Sequence, residues 1–182
     1  MVKIIGISGS LRKGSYNTAL LRAIEKTLPP GVEMEIFTCD GIPLYNSDVD
    51  GDEKPPAVER LRTAITGCDG VLFATPEYNH SIPGVLKNTI DWVSRPGFKS
   101  PMAGKPSAII SASKGFLGGA RAQEHLKLVL DSLLSPLYPS TECLVGSAPE
   151  KFDDHGTLMD ERVQKRLQKY IEGFLGWMTR DA

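Results

Sequence analysis

Two clusters of residue types stand out for the chemistry they can do. The first is Gly9-Ser10-Leu11-Arg12-Lys13-Gly14-Ser15-Tyr16-Asn17-Thr18, which strings hydroxyls and cations between two glycines. It follows the apolar run Ile4-Ile5-Gly6-Ile7, read as a buried strand that breaks at Gly6 and Gly9, and it precedes a helical pattern. A glycine-bearing turn that delivers the chain to a helix start presents free backbone N–H groups and the positive end of the helix dipole, so it favours an anion. The second cluster is Pro76-Glu77-Tyr78-Asn79-His80-Ser81-Ile82-Pro83, a polar loop with a proline at each end. It emerges directly from the continuously apolar run Gly70–Thr75, where open α/β sheets place ligands.

The first loop departs from each well-known phosphate motif. Gly9 and Gly14 have Walker spacing, but Ser15 stands where lysine is required. Gly6-Ile7-Ser8-Gly9 does not complete a dinucleotide fingerprint, although Asp40 lies near the place of a ribose-binding acid. No cysteine is present to act as a phosphatase nucleophile. What remains is a cradle of hydroxyls, amides and one or two cations, suited to holding a phosphomonoester without attacking it. Arg12 suits bidentate phosphate contact, and Asn17 reads equally as helix cap or phosphate-side contact.

The elements that must position these loops follow from periodicity. Leu20, Leu21, Ile24 and Leu28 mark a first helix that Pro29-Pro30-Gly31 ends. Val32–Phe37 alternates as a half-exposed strand, and residues 40–56 form a long loop expected to be flexible. A helix with Val58, Leu61 and Ile65 follows, and a third begins near Pro83. Pro106–Ser111 is another buried strand, leading to the glycine-bearing loop Ala112–Gly119. A long helix to about Leu134, a short strand over Thr141–Val145, a second loose stretch over 147–156 and a terminal helix complete the chain. In that last helix Val163, Leu167, Ile171 and Phe174 face inward. The alternation predicts one α/β domain over residues 1–182. It is a flavodoxin-like, doubly wound five-stranded parallel sheet of order 2-1-3-4-5 with helices on both faces.

Composition removes whole classes of function. With 21 basic and 22 acidic residues among 182, the net charge is −1. A chain so balanced lacks the basic surface that nucleic acids or anionic membranes need. No apolar run reaches the roughly 18 residues of a membrane span, and the N-terminus enters structure without a signal peptide. Cys39, Cys68 and Cys143 are odd in number and widely spaced, which points to buried thiols rather than a metal or dithiol centre. A cytoplasmic location is expected.

Taken with Gly84-Val85-Leu86-Lys87-Asn88 and Asp91-Trp92, the two loops resemble the NAD(P)H-dependent FMN reductase family. The similarity is nearest to the bacterial quinone reductases also described as chromate reductases, and it spans nearly the whole chain. The resemblance implies that Ser10, Arg12, Ser15, Tyr16, Asn17 and Thr18 surround an FMN phosphate. It also implies that Pro76, Glu77, Tyr78 and Asn79 wrap the isoalloxazine, largely through backbone amides, and that Ser113, Lys114 and Gly115 line its other side. NADPH or NADH is then the hydride source, and a quinone or similar acceptor takes the electrons in a ping-pong cycle. The resemblance further implies a homodimer or homotetramer and no metal. On this reading the flavin does the chemistry, so His80 is pocket lining and not a base. The rival reading is a flavodoxin-type electron carrier with no substrate of its own. Arg12 and the near-zero net charge weigh against it. A flavin-free regulatory or scaffold protein is the third reading.

Overall fold

A computed structural model of the chain describes residues 1–179. Five strands run β1 (Val2–Ser8), β2 (Val32–Thr38), β3 (Gly70–Thr75), β4 (Ser107–Ala112) and β5 (Cys143–Val145). They pair in the order β2-β1-β3-β4-β5, and every pairing is parallel. The expected topology is therefore the observed one. Four helices connect the strands, α1 (Tyr16–Glu25), α2 (Pro56–Thr66), α3 (Gly84–Val93) and α4 (Ala120–Ser132), and α5 (Glu161–Met178) follows the last strand.

Alternation along each strand divides the core into two layers. Ile4, Leu72 and Ile110 pack with Leu20, Leu21, Leu167 and Phe174 on the face covered by α1 and α5. Ile5, Val71, Phe73 and Ile109 pack with Leu61, Ile65, Leu86, Ile90 and Leu126 on the face covered by α2, α3 and α4. Every residue of β3 and β4 is buried, as their unbroken apolar runs require. The three cysteines are buried too, and burial pushes the thiols of Cys39 and Cys143 up to about 11.

The structure corrects several local expectations. Gly6 does not break the first strand. It lies inside β1, where a Cβ would stand 3.2 Å from Leu21 and Met34, so its absence lets α1 approach the sheet. The long loop over 40–56 contains a single 3₁₀ turn, Ser47–Val49, and is fastened to α3. Asn88 accepts from the Tyr45 N–H at 2.7 Å and donates to the Pro43 carbonyl at 2.8 Å, and the indole N–H of fully buried Trp92 donates there too. The stretch over 147–156 is likewise folded. Phe152 and Leu158 form a bridge, and the Asp153 carboxylate accepts from the N–H groups of His155 and Thr157.

β5 is two residues shorter at its start than expected, and other groups complete the edge of β4. Tyr138 N–H donates to the Ser107 carbonyl at 2.8 Å, and Ser107 N–H donates to that of Pro136. At Ile109 the Tyr170 hydroxyl of α5 accepts from the N–H at 3.2 Å and donates to the C=O at 2.8 Å. Burial first, despite that amide donor, pushes the Tyr170 phenol up to about 12, so it stays protonated. Tyr170→Phe strands both backbone groups and is expected to cost about 1–3 kcal/mol, read as a lower urea midpoint with an unchanged slope.

Candidate functional site

Three loops meet at the carboxyl ends of β1, β3 and β4 and enclose a cleft of about 410 Å3. The first contributes Ser10, Arg12, Ser15, Tyr16 and Asn17, the second Pro76, Glu77 and Tyr78, and the third Ala112, Ser113, Lys114 and Gly115. Larger hollows lie beside Gly146 and Arg166, at about 790 Å3, and between α1 and α5, at about 560 Å3. Neither sits at the switch point of the sheet, where strand order reverses and ligands of this architecture bind.

The first loop is built from its own hydroxyls. Gly9 N–H donates to the Ala74 carbonyl at 2.9 Å, fixing the exit of β1 against β3. Ser15, and not Asn17, caps α1: its Oγ accepts from the Thr18 N–H at 3.3 Å. The N–H groups of Tyr16 and Asn17 begin the helix ahead of any intrahelical acceptor, so they remain donors at its positive end. The Arg12 guanidinium stacks over the Tyr16 ring, 5.0 Å from its centroid, and the ring leans on Phe152 at 5.1 Å. Among the described residues Arg12, Lys13 and Lys114 form no ion pair.

Two residues expected at the ligand turn their side chains to structural work. The Asn17 amide donates from Nδ2 to the Ala112 carbonyl at 3.0 Å, and its Oδ1 accepts from the Ala112 N–H at 2.8 Å. This buried pair ties the start of α1 to the end of β4. Thr18 is buried beneath the cleft, its hydroxyl sharing a 2.7 Å hydrogen bond with Ser8.

The second loop folds back as a tight turn. Tyr78 N–H donates to the Ser81 carbonyl and Ser81 N–H to that of Tyr78, with Asn79 and His80 at φ 49° and 63° between them. Asn79 therefore sits at the exposed tip and does not line the cleft, and the Tyr78 amide is already engaged. The Glu77 carboxylate reaches the first turn of α4, accepting from the Arg121 N–H at 3.0 Å. Sequence reasoning missed Arg121 and Ala112. The signal for the first was a helix start preceded only by glycines.

The third loop is held from behind. Ser113 N–H donates to the Val145 carbonyl, Ala148 N–H to that of Ser113, and Ser147 N–H to that of Gly115. The approach is so close that a Cβ on Gly146 would overlap the Phe116 carbonyl.

The sequence profile of the NADPH-dependent FMN reductase family matches residues 2–150. The chain belongs to that family. An NAD(P)H-dependent FMN reductase of Pseudomonas aeruginosa is 47% identical over 179 residues, covering 98% of this chain and 96% of its own. A quinone reductase of Escherichia coli K12 is 39% identical over 182 residues, covering 98% and 96%. The solved structure of FerB, a flavoenzyme NAD(P)H:(acceptor) oxidoreductase from Paracoccus denitrificans, superposes with a TM-score of 0.88. It is 35% identical, and the match covers 98% of this chain and 97% of that one. The chain is thus an FMN-dependent NAD(P)H oxidoreductase, and the carrier and flavin-free readings fall away.

The cleft fits the cofactor on its own chemistry. Arg12 and Lys114, the hydroxyls of Ser10 and Ser15 and the first-turn N–H groups form an anion-directed donor set. The volume lies within the usual range for ligand sites. Asn17→Asp should expose the link that sets the cleft's width, because it places a carboxylate oxygen against the Ala112 carbonyl. A loss of about 2–3 kcal/mol in urea unfolding is expected near neutral pH. The deficit should shrink on acidification, when the protonated acid regains a donor.

Proposed function

We propose that the chain passes a hydride equivalent from NADPH or NADH to a quinone-like small-molecule acceptor, with FMN held in the switch-point cleft. The observation that carries this reading is the convergence of cations, buried hydroxyls and helix-start N–H groups on one wall of a cleft whose other walls are backbone loops. Arg12, Ser10, Ser15 and the N–H groups of Tyr16 and Asn17 hold the phosphate. The Tyr16 ring beneath the Arg12 guanidinium, 5.0 Å from its centroid, holds the cation at that wall, and a guanidinium suits bidentate phosphate contact. Pro76, Glu77 and Tyr78 form the wall along the ring, with the N–H group of Glu77 as the backbone donor and Asn79 at the exposed tip beyond it. Ser113, Lys114 and Gly115 form the opposite side, and Thr18 supports the loop from below.

When bound, the flavin supplies hydride acceptance and two-electron release, so the chain needs no general base. His80 is exposed at the tip of the turn. Quinone reductases among the relatives support the acceptor class. A homodimer or homotetramer working in the cytoplasm completes the reading. Tyr78, Phe116 and Leu117, large apolar side chains left exposed around the cleft, supply the surface a second copy would cover.

One cleft serving both substrates makes them occupy it in turn. Steady-state rates with NADPH and a benzoquinone are expected to give parallel double-reciprocal lines, and intersecting lines would overturn the shared site. Arg12→Ala should weaken FMN binding about ten- to hundredfold by fluorescence titration, at about 1.4 kcal/mol per decade. An unchanged dissociation constant removes Arg12 from the phosphate site.

A further inference from the structure

α4 starts without a cap of its own. Gly119 precedes it at φ 94°, and a Cβ there would stand 2.9 Å from the Ser111 side chain. Close packing on β4 therefore excludes the Ser, Thr, Asp or Asn that would ordinarily accept a first-turn N–H. The missing acceptor comes from a different loop. Glu77 Oε2 accepts from Arg121 N–H at 3.0 Å and from Ala122 N–H at 3.4 Å, while Oε1 lies 3.5 Å from the Arg121 guanidinium. A carboxylate is the group that the positive end of a helix favours most.

One helical turn farther along, His125 Nδ1 is hydrogen-bonded to Ser81 Oγ at 2.9 Å. Glu77 and Ser81 flank the tight turn whose two central residues, Asn79 and His80, both hold left-handed backbone conformations. Such conformations cost energy for residues with a Cβ and persist only where surroundings over-determine them. Both ends of the turn are thus fastened to one rigid element, and the turn carries Pro76, Glu77 and Tyr78 into the cleft.

We propose that Glu77 is a positioning residue: its carboxylate caps α4 from the neighbouring loop and so presets the backbone wall against which FMN binds. The proposal rests on the placement of FMN argued above. The carboxylate is engaged by α4, and what Glu77 offers the cofactor is a correctly placed peptide unit. A preset wall spares the ligand the cost of ordering it, so the fastening shows as affinity.

FMN titrations of apoprotein, followed by flavin fluorescence below the melting temperature of every variant, test this. Glu77→Ala is expected to raise the dissociation constant about tenfold. Glu77→Gln, whose amide oxygen still accepts from the Arg121 N–H, should stay within about threefold of wild type. Arg121→Ala keeps the backbone donor and should do the same, because the half-exposed ion pair adds little. Rescue by glutamine separates capping from a carboxylate acting directly on the cofactor. Unchanged binding in folded Glu77→Ala, or equal losses in the alanine and glutamine variants, overturns the proposal. Should Glu77→Ala fail to fold, Ser81→Ala carries the test, and wild-type affinity there also overturns it. If wild-type apoprotein takes up no FMN, the site itself is misplaced, a failure distinct from any pattern among the variants.

Discussion

A single side-chain amide holds the switch point together. β1 and β4 are not neighbours, since β3 lies between them, yet the loops after all three must face one another at a fixed distance. Asn17 spans that gap by giving its donor and its acceptor to the one peptide unit of Ala112. Both bonds are buried, where an unmade bond is most costly and a made one most rigid. Because Asn17 stands in the first turn of α1, the same contact fixes where the helix begins. It thereby sets where the Ser15 cap and the helix-start N–H groups point.

The third loop gains its rigidity in another way, through the absence of side chains. Gly118, at φ 63°, would bring a Cβ to 2.9 Å from the N–H groups of Val145 and Gly146, and Gly146 is pressed against Phe116 in return. The loops after β4 and β5 are therefore interlocked backbone to backbone. Ala148, fully buried, continues that packing into the 3₁₀ turn Ala148–Glu150. This is why a stretch whose composition reads as loose is folded: its polar residues are anchored by one acid, Asp153, and two apolar side chains, Phe152 and Leu158.

Most of the architecture was legible in the sequence because parallel strands buried on both faces leave unbroken apolar runs, and prolines and glycines punctuate them. The loops of the cleft were legible because they follow those runs directly. What escaped were choices made at long range. Asn17 can cap a helix, touch a phosphate or bind a distant peptide, and the partner that decides lies 95 residues away. Glu77 and Arg121 are 44 residues apart, with no local pattern to join them. Gly6 read as a break because nothing nearby in sequence shows that Leu21 and Met34 converge on it. The edge of β4 was hidden for the same reason, since a tyrosine on the last helix completes it.

That tyrosine has a bearing on how copies of this chain can meet. A sheet with open margins is a template for strand addition, the first step toward uncontrolled fibrous association. Here one margin, β2, carries the exposed acids Glu33 and Glu35. The other ends in a three-residue strand, with the carbonyl and amide of Ile109 already occupied by a phenol. Neither border invites another β-strand, and helices cover both broad faces. What the molecule leaves open instead is the rim, where the loops around the cleft display the unburied aromatic side chains of Tyr78 and Phe116.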